Sequence, residues 1–296
     1  MKTIAALTTV LALAALTLAP PPAARAADGK IAVVAAENFY GDIARQIGGD
    51  RVAVVSIMNN PDQDPHLFET TPGIVRQLAG AQIAILNGAN YDPWMEKLLA
   101  AAPRPGRTVI AVAGLTGKKP GDNPHLWYDP ATMPAAAKAM ADAFTKADAA
   151  HAADYAARLS ATLASLERIA QRVAQMKAKH AGKAVTATEP VFGLMADALG
   201  LTMRNQRFQL AMMNNTEPSA RDVAAFENDL KQRKVTALLY NRQVSEKLTE
   251  RLLAIANKAK VPVIGVTETQ PANESFQDWV LGELDALDKA LTGPNS

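Results

Sequence analysis

The chain has 296 residues, a formal net charge of +2, four histidines and no cysteine. Disulfides and thiolate metal ligands are therefore excluded, so any metal must be held by nitrogen and oxygen donors. The balanced charge and the absence of a dense basic run argue against a nucleic-acid partner. In chain order, residues 1–26 read as a cleaved secretory signal. Lys2 gives a positive start, residues 4–19 are apolar, prolines 20–22 end the run, and Ala24-Arg25-Ala26 fits a cleavage site. A membrane anchor is the alternative, but the run is shorter than the ~20 residues a span requires. No cysteine follows it, so a lipid anchor is not expected, and the periplasm of a Gram-negative bacterium is the expected location. Losing residues 1–26 removes Lys2 and Arg25 and leaves acidic and basic side chains equal in number.

The remaining ~270 residues suit one large domain or two smaller ones. Short, nearly all-apolar runs at 31–36, 52–57, 83–86 and 108–112 read as strands of a parallel sheet covered on both faces. Amphipathic stretches at 38–47 and 71–79 lie between them. Residues 149–179 contain neither proline nor glycine. Tyr155, Leu159, Leu163, Leu166, Ile169 and Val173 recur there at helical spacing. This predicts a helix of roughly 30 residues, about 45 Å long. Runs at 184–187, 201–203, 237–240 and 261–266 then repeat the strand pattern. The expected fold class is α/β, with two (β/α) lobes of mainly parallel sheet joined by a long rigid helix. The expected division is an N-terminal lobe at 27–148, a linker helix at 149–180 and a C-terminal lobe at 181–296. A long helix inside a single domain is the alternative.

Two of the four histidines share one local frame, Asp64-Pro65-His66-Leu67-Phe68 and Asn123-Pro124-His125-Leu126-Trp127. Each follows a predicted strand, and ligands of open α/β sheets bind beyond the carboxyl ends of strands. In the second half Glu189 and Glu268 each close a strand. Two imidazoles from one lobe and two carboxylates from the other would complete a four-residue metal site in the interlobe cleft. Each residue also has an ordinary reading. Glu189 before Pro190 suits a helix start, and Glu268 suits a loop. Asp64, Glu69 and Asp129 stand near the frames and could orient the imidazoles through their second ring nitrogen. His151 and His180, at the two ends of the long helix, are expected to be solvated. Asn214, Asn215 and Asn241 are expected in ordinary turns.

Several segments in order resemble the metal-binding solute-binding proteins of zinc and manganese ABC transporters. They are the run from Ala36 to Ala44 (AENFYGDIA), Asp64-Pro65-His66-Leu67-Phe68-Glu69, Asn87-Gly88, the run from Asn123 to Pro130 (NPHLWYDP) and Glu217-Pro218-Ser219. The resemblance covers nearly the whole chain after the signal. It implies two lobes joined by a rigid helix, with a metal held by His66 and His125 of the first lobe and two ligands of the second. Glu189 stands where zinc members often have a third histidine and manganese members commonly have glutamate. Glu268 stands where aspartate is usual, and 114–123 lacks the long histidine-rich loop of many zinc members. The resemblance thus implies a periplasmic, monomeric protein carrying manganese or zinc, with iron compatible, to an inner-membrane permease driven by a cytoplasmic ATPase. An exported metal-dependent hydrolase is the enzyme alternative, with Asp64 or Glu37 as base. No His-Glu-x-x-His is present, and no catalytic residue is assigned. An adhesin or scaffold with a structural metal is the third reading.

Overall fold

The computed structural model describes residues 29–60, 68–244 and 246–293. The first half comprises β1 (Ile31–Glu37), α1 (Asn38–Gly48), β2 (Val52–Met58), α2 (Pro72–Gly80), β3 (Ile83–Leu86), α3 (Pro93–Ala101), β4 (Thr108–Ala111), α4 (Val112–Leu115) and α5 (Thr132–Ala147). The long helix α6 (Ala152–His180) follows. The second half comprises β5 (Ala184–Ala187), α7 (Gly193–Ala198), β6 (Thr202–Arg204), α8 (Gln206–Met213), α9 (Ala220–Lys231), β7 (Ala237–Asn241), α10 (Lys247–Ala259), β8 (Val263–Val266) and α11 (Phe276–Thr292).

The strands form two four-stranded parallel sheets, ordered β2-β1-β3-β4 and β6-β5-β7-β8. The two halves therefore have one topology. In each, the chain order reverses beside the first strand of the half, which opens a crevice at the carboxyl ends of β1 and β3 and of β5 and β7. The central strands β1 and β3 are apolar because helices cover both faces. Outlying strands differ from the sequence expectation by a residue or two. Val112 opens α4 instead of ending β4. β8 starts at Val263, after Pro262, which lacks an N–H and enters the ladder only as an acceptor, from the Leu238 amide.

Helix α6 is 29 residues long. Its periodic face buries Tyr155, Leu166, Ile169, Val173 and Met176, with Leu159 and Leu163 packed at the margin. These residues share one hydrophobic core with β1, α1 and α5 on one side and with β5, α7 and α11 on the other. The helix is thus the middle of a core continuous across both halves. Two smaller cores lie under α2 and α3 and under α8, α9 and α10.

The two histidines at its ends are not solvated as expected. His180 is 4% exposed, with Nε2 2.6 Å from Asp288 Oδ1 on α11. The same carboxylate accepts from Arg172 at 2.8 Å. The hydrogen bond from His180, working against burial and joined by that from Arg172, holds Asp288 below the usual carboxylate range. His151 is half-buried and places Nδ1 2.8 Å from Asp148. For His180 the partner comes from packing of the helix end on α11, which local sequence does not reveal, whereas the partner of His151 is its own neighbour three residues upstream.

Candidate metal centre

The polar residues of the site lie at the carboxyl ends of strands in both sheets. Asn87, immediately after β3, organises the first half. Its Oδ1 accepts from the Tyr40 hydroxyl at 2.7 Å, and its Nδ2 donates to the Pro124 carbonyl at 2.8 Å. The peptide bond preceding His125 is thereby tied to the sheet end. Gly88 follows with φ +78°, a conformation that favours glycine. Asp92 accepts from the amides of both Asn87 and Gly88 at 2.7 Å. Burial pushes Asp92 up to about 6 despite these two bonds. Its neighbour Glu37, the last residue of β1, is pushed well above the carboxylate range by burial and then by the charge of Asp92.

His125 is 1% exposed. Its ring is fixed by Asn123, whose Oδ1 lies 2.7 Å from Nδ1 and also accepts the His125 amide at 3.1 Å. Asn123 Nδ2 donates to the Pro190 carbonyl of the second half at 2.8 Å. These contacts settle which end of the amide is oxygen, so Nδ1 carries the imidazole proton. Gly193 permits the arrangement, since a Cβ there would lie 2.8 Å from Asn123 Nδ2. Trp127 and Tyr91 meet the imidazole edge-on, with ring centroids at 5.4 and 5.9 Å.

The remaining nitrogen, Nε2, faces Glu268 Oε2 at 3.2 Å. With the proton on Nδ1, two buried lone-pair atoms confront each other, and a cation or a proton between them is favourable. Glu268 Oε1 accepts from Asn241 Nδ2 at 2.7 Å, and the same amide nitrogen donates to Glu189. Asn241 thus bridges the two carboxylates from the end of β7. Gln243 accepts the amides of Glu268 and Thr269, and so shapes the loop after β8. The buried Tyr91 hydroxyl lies within reach of the Glu268 charge. Burial first, and then the Glu268 charge, raises Tyr91 well above 10, so it stays a donor.

Three of the four sequence-predicted residues therefore meet: His125 touches Glu268, and Glu189 joins them through one amide. His66 and Asp64 lie outside the described residues. Among the described residues, no three histidine, cysteine, aspartate or glutamate side chains gather closely enough to hold a metal. The last residue of the first histidine frame, Phe68, packs on Trp94 of α3, with ring centroids at 4.4 Å. Of the expected orienting groups, Glu69 is exposed beside a frame whose histidine lies outside the described residues, and Asp129 caps the turn into α5 through the Ala131 amide. Asn123, inside the motif itself, orients His125 instead. Asn241 was expected in a turn, but it is 1% exposed and central to the site. Asn214 and Asn215 are exposed in the turn after α8, as expected.

The sequence model of a periplasmic family, zinc-uptake complex component A (ZnuA), matches residues 33–290. The chain belongs to the ZnuA family. The manganese-binding lipoprotein MntA of Bacillus subtilis is 26% identical over 113 residues, 36% of this chain and 37% of that protein. The iron-binding protein YfeA of Yersinia pestis is 31% identical over 109 residues, 34% of each chain. The chain thus matches little more than a third of the length of these curated relatives. The solved periplasmic zinc-binding protein TroA of Treponema pallidum superposes with a TM-score of 0.75 at 22% identity, covering 89% of this chain and 99% of that one. That likeness shows the two-lobed fold. The relatives' names span three metals, so membership of the ZnuA family does not itself choose among them.

Proposed function

We propose that this chain is an exported, monomeric carrier that captures one divalent transition metal, manganese or zinc, between its lobes. It then delivers the metal to an inner-membrane ABC permease with a cytoplasmic ATPase. The proposed ligands are His66 and His125 from the lobe at 27–148 and Glu189 and Glu268 from the lobe at 181–296, with 149–180 as linker. Residues 1–26 are the proposed export signal, cleaved to release the carrier into the periplasm. The observation that carries this reading is the confrontation of His125 Nε2 with Glu268 Oε2 at 3.2 Å, both buried and both lone-pair donors to a cation.

Two imidazoles and two carboxylates form a harder donor set than three histidines, which favours manganese; intrinsic affinity favours zinc. Iron fits the same donors. A site closed by protein ligands on all sides suits cargo binding, whereas a catalytic metal keeps a position open. That distinction separates the carrier from the hydrolase. Calorimetric titration of the full mature chain with Mn²⁺ and Zn²⁺ tests the reading. One equivalent should bind, and His66→Ala and His125→Ala should each weaken binding by orders of magnitude. Unchanged affinity in both variants would overturn the ligand assignment. Growth of a deletion strain under metal limitation, rescued by one metal, then identifies the cargo.

A further inference from the structure

A second junction between the halves lies behind the site. The Tyr128 hydroxyl is 2.7 Å from the Thr267 carbonyl oxygen and 2.7 Å from Glu283 Oε2 on α11. Both distances are those of hydrogen bonds. A phenol has one proton to give. Burial and then the Glu283 charge keep Tyr128 well above its usual 10, so that proton is present. A carbonyl oxygen can only accept. The two contacts are therefore both satisfied only when Tyr128 donates to Thr267 and Glu283 donates to Tyr128. The other carboxyl oxygen, Oε1, accepts from Trp279 Nε1 at 3.0 Å and from the Thr267 amide at 3.3 Å. One protonated carboxyl thus completes every bond in the cluster, whereas a carboxylate leaves two acceptors face to face.

The surroundings agree. The charges acting on this cluster are acidic, Glu274 on Glu283 and Glu268 on Tyr128. The basic side chains of α6 that meet α11, Arg172, Lys179 and His180, are committed to Asp285 and Asp288. On α1, Asp42 accepts the Phe276 amide. Burial pushes Glu283 up to about 8.

We propose that Glu283 is a neutral, proton-donating clasp that positions the two metal-facing loops against each other. Tyr128 ends the 3-10 turn that begins just after His125, and Thr267 immediately precedes Glu268. The clasp holds both loops from behind, so it sets the separation of Nε2 and Oε2 without touching the metal. It rests on the reading of His125 and Glu268 as ligands. Loss of the proton would expel a hydrogen bond from the junction and place an unpaired charge in it.

The test compares the full mature chain with its Glu283→Gln and Glu283→Ala variants. A glutamine amide can donate to Tyr128 while its oxygen accepts from Trp279 and Thr267, so it mimics the protonated acid. The infrared difference between wild type and Glu283→Gln, both metal-free and both retaining Glu37, should contain one protonated-carboxyl stretch at neutral pH that belongs to Glu283. The band should disappear with a midpoint at about 8. In Mn²⁺ titrations Glu283→Ala should bind about 10- to 100-fold more weakly, with Glu283→Gln near wild type. Wild-type affinity should also drop through that midpoint relative to Glu283→Gln, a comparison that stands if the alanine variant does not fold. Identical infrared spectra for wild type and Glu283→Gln, identical affinity-against-pH profiles, or a folded alanine variant of unchanged affinity would overturn the clasp. Wild type that binds neither Mn²⁺ nor Zn²⁺ would overturn the ligand reading and the positioning role with it. Intact metal binding without the carboxyl band would overturn the clasp alone.

Discussion

Asn123 acts on both sides of the cleft through a single side chain. Its oxygen fixes the tautomer of His125, and its nitrogen holds the Pro190 carbonyl next to Glu189. Asn123→Ala frees the imidazole to rotate and severs that link, while removing little apolar packing. Metal affinity should fall about 10- to 100-fold with the thermal midpoint of the metal-free protein little changed, as titration and scanning calorimetry can check. Asn241 has a different task, because its amide separates two buried carboxylates. Asn241→Asp replaces the shared donor by a third acid. Metal-free stability should fall by about 1–3 kcal/mol, and saturating Mn²⁺ should restore part of it, since a ligand that binds only the folded state stabilises it. Equal denaturation midpoints for variant and wild type would remove the bridging role. The sequence singled out Glu189 and Glu268 because each follows a strand, and His125 because it repeats the frame of His66 in the loop beyond β4. Asn241 was not legible, since an asparagine at a strand end fits a turn equally well. Only the approach of β7 to β5 and β8 turns its amide onto both acids.

At the scale of elements, α6 carries the argument. Its length and inward stripe were readable from a run without proline or glycine and from apolar spacing, because those features act locally. What it packs against was not readable. Thr162 and His180 also face inward, and each is accepted there by a partner, the Arg158 carbonyl for one and Asp288 for the other. Leu166, 4% exposed, stands where the helix meets Trp127 and Met133 of the first half and Met195 and Phe276 of the second. Leu166→Ala should cost about 2–5 kcal/mol. Because one core runs through both halves, the loss should move a single transition. Urea midpoints followed by tryptophan fluorescence and by far-ultraviolet circular dichroism should shift together. Midpoints that separate in the variant would mean that the halves unfold independently and that the helix is only a tether.

For the whole molecule, the repeated strand order makes the two crevices equivalent, and the shared core sets them against each other. That arrangement gathers acids. Glu37 and Asp92 close the first crevice, Glu189 and Glu268 the second, and Glu283 the junction behind. Their enclosure leaves a signature in stability. Asp92 rises from 3.8 to about 6 and Glu283 from 4.5 to about 8 on folding. A raised acid binds more protons folded than unfolded, so the stability it contributes is complete below its unfolded value. It is lost as pH climbs to the folded value, by about 1.4 kcal/mol per pH unit while the group is protonated only when folded. The Asp92 share is spent by about 6, and that of Glu283 continues to about 8. Metal-free wild type should therefore lose stability steadily from mildly acidic to mildly alkaline pH. Glu283→Gln should show a shallower decline over the upper part of that range, because its amide holds the same hydrogen bonds without titrating. Urea denaturation at a series of pH values measures the difference between the two curves. A difference that grows with pH and levels off above about 8 is expected. Parallel curves would mean that Glu283 is equally protonated in the folded and unfolded chains, and the enclosure would then have to be far wetter than its neighbours Tyr128 and Trp279 allow.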